Sequence, residues 1–169
     1  MTRWLLGVLL AAAVVHLAAV SALPRLVMSR AMSRLQLAAI NEFAHAPLAT
    51  AAARGIVRPS PDLAYSSLVF DVSAHPLAVT VPLTKPYTSL SGFAANTDNF
   101  FAINDSTAGA SEIAVIVVGP STPRGEQASG RVVESPSDRG VLLVRRVVPS
   151  APAFAEIDAV RRRASAVQR

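Results

Sequence analysis

Between Trp4 and Leu23 lie twenty residues without a formal charge, interrupted only by Gly7, His16 and Ser21. As an α-helix the run is ~30 Å long, the thickness of the hydrocarbon core of a bilayer. It predicts a transmembrane anchor over residues 1–24. The rival reading is a cleaved signal peptide, for which Arg3 supplies the basic start and Val20-Ser21-Ala22 the small residues a signal peptidase accepts. The run exceeds the usual signal core of about 7–15 residues, and Arg25, Arg30 and Arg34 continue beyond it in a helical pattern, so retention is favoured.

Orientation receives two conflicting cues. Three arginines follow the span, against Arg3 and the α-amino group before it, and a simple positive-inside count keeps the C-terminal part in the cytoplasm. A basic N-terminus abutting an apolar run is how a secretory signal begins, and Val20 to Ala22 point the same way. The expectation is a single-pass protein of the bacterial inner membrane with its domain on the periplasmic side. His16 is the lone ionisable group in the span, with no partner for proton relay. It reads as tolerated, or as a helix contact with another subunit.

After the anchor, Leu26, Met28, Met32, Leu35, Leu37 and Ile40 recur at roughly helical spacing with Arg25, Arg30 and Arg34 between them. This predicts a juxtamembrane amphipathic helix over residues 25–46, restarting at Pro24 and ending near His45-Ala46-Pro47. Its arginines would reach lipid headgroups while its apolar stripe packs on the domain or the interface. Roughly 145 residues follow the anchor, enough for one domain that buries roughly 70% of its unfolded surface.

Pro47, Gly55, Pro59 and Pro61 break regular structure, and beyond them the period changes to two. Leu68, Phe70 and Val72 form one alternating set and Leu77, Val79 and Val81 another, separated by a turn at Ser73 to Pro76. Tyr87 to Ala94 and Phe100 to Ile103 read as further strands, and Ile113 to Val118, apolar on both faces, as a central one closed by Gly119-Pro120. Arg131 to Glu134 and Val141 to Val148 read as a final pair joined by a turn at Pro136 to Gly140. The expected fold is a mainly β sandwich or jelly-roll-like domain over residues 47–150. A C-terminal amphipathic basic helix over 151–169 would carry Phe154, Ile157, Val160, Ala164 and Val167 on one face.

Chemistry is sparse in this sequence. Without cysteine the chain has no disulfide, thiolate nucleophile or cysteine-bound metal. The net charge of +5 comes from fifteen arginines and Lys85, a bias read as genomic composition. The arginine clusters at 145–146 and 161–163 lack the interleaved aromatics that single-stranded nucleic acid would need, so no nucleic-acid partner is expected. Anionic headgroups are the nearer surface for Arg161, Arg162 and Arg163. No G-x-S-x-G elbow, metal-binding histidine spacing or phosphate-cradling glycine loop is present, and no cofactor or metal site is expected.

Two polar stretches stand out. Asn96 to Asp105 holds two carboxylates and three amides, but Phe101 and Thr107 occupy the places where a calcium loop needs Gly and Glu. Strand-end capping by Asn and Asp is the favoured reading. In Arg58-Pro59-Ser60-Pro61-Asp62-Leu63-Ala64-Tyr65, Asp62 would hydrogen-bond near Tyr65 or pair with Arg58 at a corner. Asp62, Tyr65, Asp98 and Asn99 are therefore the candidate residues of a pocket or structural corner, with no catalytic residue assigned.

The order of Arg58 to Ser66, Phe70-Asp71-Val72-Ser73, the Tyr87 strand, Asn96 to Phe100 and Val117-Val118-Gly119-Pro120 resembles the bacterial domain-of-unknown-function family 1254, over about residues 40 to 150. The resemblance implies a β-rich, jelly-roll-like module. In longer relatives that module is followed by a second domain, of family 1214, in the same polypeptide. The chain looks like a short membrane-bound form whose companion domain is a separate protein. The expected role is a non-enzymatic binding or assembly subunit of the envelope. The alternatives are a hydrolase or lyase-like enzyme with an Asp/Tyr pocket and a module that binds anionic headgroups.

Overall fold

The computed structural model describes residues 2–50, 59–123 and 130–169. Its first element, α1 (Thr2–Leu35), is one continuous helix in which the expected anchor and the first part of the juxtamembrane segment are joined. Pro24 lies inside it rather than starting a second helix. Among the described residues it is the helix long and apolar enough to cross a membrane, and that apolar window is entirely unburied. The juxtamembrane helix stops short of His45: β1 (Ala44–His45) already pairs with a strand.

The β domain consists of two sheets. One has five strands in the order β1, β2 (Leu63–Asp71), β8 (Arg139–Val147), β4 (Thr88–Ala94) and β5 (Asn99–Asn104), all antiparallel. The other has β7 (Arg131–Glu134), β6 (Glu112–Val118), β3 (Leu77–Pro82) and β9 (Ser165–Gln168). A short helix, α2 (Asp105–Ala108), capped by Asn104, links β5 to β6, and α3 (Phe154–Arg161) precedes β9.

Side chains alternate across each strand, and the inward sets meet between the sheets. Leu68, Phe70, Leu90, Leu142 and Val144 of the first sheet face Leu77, Val79, Val81, Ile113, Val115 and Val117 of the second in one buried cluster. β6 is central in its sheet as its apolar run suggests, although Ala114 is exposed. The outward face of the first sheet is covered by α1. Met28 is buried with Val69 and Val141, and Ala31, Met32, Leu35 and Phe93 pack around them. The spacing 28, 31, 32 and 35 is one helix face, so the apolar stripe of the juxtamembrane segment docks on the domain.

Two expectations are corrected. Arg131 to Glu134 and Val141 to Val148 do not pair with each other: β7 runs parallel to β6 in one sheet and β8 joins β2 and β4 in the other. The Pro136 to Asp138 segment is a crossover between sheets, tied by Ser135 donating to the Val118 carbonyl and Val72 to the Asp138 carbonyl. The C-terminal segment is not a single helix. It turns at Arg162 to Ala164 and ends as β9, where Ser165 to Gln168 pair with the otherwise open edge of β3. Backbone groups of a sheet edge need partners, which outweighs a helical pattern that spans only a few turns.

Candidate functional site

The fold separates the four candidate pocket residues into two pairs. Asp62 is exposed in the turn before β2, where its amide donates to Ser60 Oγ at 3.3 Å and its carbonyl accepts from the Val148 amide at 2.8 Å. The Tyr65 hydroxyl accepts from the Ser60 amide at 3.0 Å, so this pair shapes a corner. Arg58, the other expected partner of Asp62, lies outside the described residues. Asp98 and Asn99 belong to the β4–β5 hairpin, which turns through Thr97 at φ 75°. Asp98 Oδ2 accepts from Asn96 Nδ2 at 2.6 Å, and Asn99 Nδ2 donates to the Gly92 carbonyl at 3.2 Å.

The strand register measures the gap. Tyr65 lies level with Arg145 and Ser89, whereas Asn99 is level with Phe93 and Val141, four residues along β8 and three strands from β2. That is a separation of roughly 20 Å. The two pairs do not share a pocket.

A partly open depression of about 330 Å³ does exist, lined by Ile40, Asn41, Asp71, Ser73, Ala74 and Gln168. It lies where the chain leaves α1 and meets the sheet. Asn41, at φ 65°, clamps Asp71 by accepting from its amide at 2.9 Å and donating to its carbonyl at 3.0 Å, as a neighbouring strand would. The Ser73 hydroxyl, 2.7 Å from Asp71 Oδ1, holds that carboxyl below its usual range, and Arg139 lies 3.4 Å from its other oxygen. Among the described residues, no three His, Asp or Glu side chains are grouped closely enough to hold a metal ion.

The most unusual polar grouping lies inside the domain. β8 places Arg145 and Arg146 on opposite faces of the first sheet, and Arg146 shares the inward face with Leu142 and Val144. Arg146 is fully buried. Its Nη2 donates to the Pro82 carbonyl of the second sheet at 2.9 Å, while Nε and Nη1 are buried with no hydrogen-bond partner among the described residues. Burial, with the charge of Arg161 adding to it, brings the Arg146 guanidinium down to about 10.

Arg161, on α3, is also buried. Its Nε donates to Asp158 Oδ1 at 2.6 Å, its Nη1 to the Tyr65 carbonyl at 2.9 Å, and its guanidinium lies 5.2 Å from the centre of the Phe154 ring. Arg162 Nε takes the other carboxylate oxygen of Asp158 at 2.7 Å. His45, half-buried on β1, has Nδ1 2.8 Å from Ser66 Oγ. Burial first, then the charges of Arg161 and Arg162, hold its imidazole below its ordinary value.

These positions revise the headgroup set. Arg161 is enclosed between α3 and β2, so it is not a surface contact, whereas Arg162 and Arg163 are exposed. Arg25, Arg30 and Arg34 are exposed on α1, with Arg25 Nη1 donating to the Ser21 carbonyl at 2.6 Å. Sequence reasoning missed the interior cations, yet a signal existed. Two adjacent arginines in a strand must point to opposite faces, and with one face in the sandwich core one of the two has to be interior.

A docked apolar helix on a two-sheet β domain defines the class of the protein. Residues 40–168 match a family described as "Protein of unknown function (DUF1254)", and the chain belongs to that family. The match extends past residue 150 to include α3 and β9. No curated protein matches the chain in sequence. Among solved structures, the VPA0106 protein from Vibrio parahaemolyticus is similar over 89% of this chain, with a TM-score of 0.71 and 15% identity. An uncharacterized protein from Burkholderia cenocepacia is similar over 74%, with a TM-score of 0.48 and 18% identity. The chain spans 37% of the length of each of those structures. The Vibrio likeness establishes a shared fold.

Proposed function

We propose that the chain is a membrane-tethered, non-enzymatic assembly domain of the bacterial envelope, and that its β sandwich packs against a separate companion domain of the family 1214 type. The observation that carries this reading is the docking of α1. Met28, the first buried residue of the helix, comes five residues after Leu23, or ~7 Å along the axis. A headgroup layer is about that thick, so a helix spanning from Trp4 to Leu23 would hold the domain directly against the membrane surface.

Tethering of that kind concentrates the domain near other anchored proteins and makes a partner in the same membrane effective at modest affinity. β7 and β9, the outer strands of the second sheet, carry Val132 and Val167 with 43% and 59% of their surface exposed. Such edges suit strand-to-strand docking.

The test is purification of the full chain from its native membrane in mild detergent, with cross-linking before solubilisation. A stoichiometric companion of the expected domain type, cross-linked to residues of β7 or β9, is the expected result. A monodisperse monomer without cross-links overturns the reading. A reporter fused to the C-terminus and active only in the periplasm tests the side of the membrane, and activity of a cytoplasmic reporter instead reverses the orientation.

A further inference from the structure

The direction in which α1 crosses the first sheet decides which end of the sandwich meets the membrane. Met28 is buried against Val69 of β2 and Val141 of β8, which lie level with each other. At the end of α1 the Leu35 carbonyl lies 3.5 Å from Ser67 Oγ, an earlier point on β2. The helix therefore runs against β2. Traced back from Met28 towards Leu23, it heads past Asp71 and Arg139, the level pair where β2 ends and β8 begins.

That end gathers three connections: the Ser73 to Pro76 turn, the β4–β5 hairpin at Ala95 to Asp98, and the Pro136 to Asp138 crossover. β6 ends there too, since Val117 is level with Leu77 and the Ser121 amide donates to Asp138 Oδ1 at 2.8 Å. The depths agree. Leu23 lies ~7 Å from Met28 along the helix axis, and Asp71 ~7 Å from Val69 along the strand, so the span and the strands end at a similar level. The opposite end stands well away: Arg161 reaches the Tyr65 carbonyl, and Tyr65 is ~20 Å from Asp71 along β2. Arg162 and Arg163 follow Arg161 directly, so this exposed pair is carried at the far end.

The near end is polar, with small exposed tips at Ser73, Ala74 and Ser121, and Asp71 has Arg139 at 3.4 Å. Arg25 and Arg30 are exposed on α1, ~3 Å and ~10 Å beyond Leu23 along the axis, within the depth of a headgroup layer. Their charge suits lipid phosphates, and small polar tips suit a hydrated layer rather than hydrocarbon. We propose that this end of the sandwich is a membrane-facing surface that rests on phospholipid headgroups, with Arg25 and Arg30 against the phosphates and Arg162 and Arg163 turned to solution. The inference rests on the tethered reading above and deepens it. It sets the strands upright on the bilayer and leaves the β7 and β9 edges at the side, open to a companion in the same membrane.

The chain has no cysteine, so single cysteines report position. Ala74→Cys and Ser121→Cys mark the near end; Ala110→Cys, in the α2–β6 connection, and Ser150→Cys, after β8, mark the far end, and all four sites are exposed. Each full-length variant, labelled with a small fluorophore, is placed in vesicles of phosphatidylethanolamine and phosphatidylglycerol, a fraction of them bearing a headgroup nitroxide that quenches on close approach. Labels at Ala74 and Ser121 should lose most of their fluorescence, and labels at Ala110 and Ser150 should keep nearly all of it. Equal quenching at both ends, quenching at the far end instead, or no quenching at any site overturns the proposal. Alkaline carbonate extraction of the unlabelled chain separates the two readings. Release from the vesicles overturns the tether and this proposal together, whereas retention with quenching at the wrong end overturns this proposal alone. None of these outcomes depends on whether a companion protein is found.

Discussion

Arg161 Nη1 donates to the Tyr65 carbonyl at 2.9 Å, tying α3 to the second strand from a distance of ninety-six residues in sequence. The same guanidinium holds Asp158 and lies over Phe154, both on α3 itself, so one side chain braces the helix internally while it joins the helix to the sheet. Arg161→Met should destabilise the domain by about 3 kcal/mol, because a buried carbonyl and part of a carboxylate lose their partner. Arg161→Lys should recover less than half of that, since one ammonium cannot reach all three groups. Urea unfolding of both variants measures the difference, and a Lys variant equal to wild type would show that charge alone suffices.

Gly140 makes a second, purely steric prediction. A Cβ there would run into the Phe93 carbonyl and sit 2.6 Å from Phe70 Cζ, between the central strand and the core. Gly140→Ala should cost roughly 3 kcal/mol, the upper end for overpacking. Gly7→Ala, with nothing within 4 Å, should leave the unfolding midpoint of the domain where it was.

The sequence is most legible where a period is long and continuous. Trp4 to Leu23 and the stripe from Met28 to Leu35 specify α1 and the face it docks, and alternation in Leu68 to Val72 and Leu77 to Val81 specifies the two inner faces. Pairing is less legible, because alternation reveals a face and not a neighbour. β7 and β8 lie close in sequence and belong to different sheets. At the C-terminus, Ala164 and Val167 fit a helical face, but the open edge of β3 takes them into β9, a demand that exists only once the sheet is formed. The polar residues chosen from composition, Asp62, Tyr65, Asp98 and Asn99, are corner and hairpin residues in separate places. Arg146 was hidden because arginine is ordinarily read as surface, and only the parity of a buried strand reveals it.

His45 predicts how the domain responds to acid. Its imidazole is held below 6.5, first by burial and then by the charges of Arg161 and Arg162, with Arg146 adding to this and Asp158 opposing it. The unfolded chain therefore binds a proton that the folded chain resists. Stability from the neutral imidazole is complete above about pH 6.5 and is lost as pH falls through the lower folded value. Asp71 and Asp158, both held below 3.8, contribute only at more acid pH. Unfolding midpoints should fall between about pH 7 and 5 in the wild type and remain flatter in His45→Asn. Parallel curves for the two proteins would assign the acid response to another group.

The contact of Met28 with Val69 and Val141 predicts what holds the domain to the helix. Met28 is 8% exposed, and burying such a side chain contributes about 2 kcal/mol. Met28→Asp places a carboxylate against two valines, where no described group of that cluster can pair with it. The cheaper response is for the end of α1 to lift from the sheet rather than for the sandwich to unfold, because the core between the sheets does not include Met28. Lifting exposes the bonds after Arg30 and Arg34 to trypsin. Cleavage there should accelerate about thirtyfold, the ratio that 2 kcal/mol gives when opening is fast compared with cutting. The unfolding midpoint of the domain should move little. Unchanged cleavage would mean that the linker from Gln36 to Phe43, with Asn41 clamped on Asp71, holds the helix in place without the methionine.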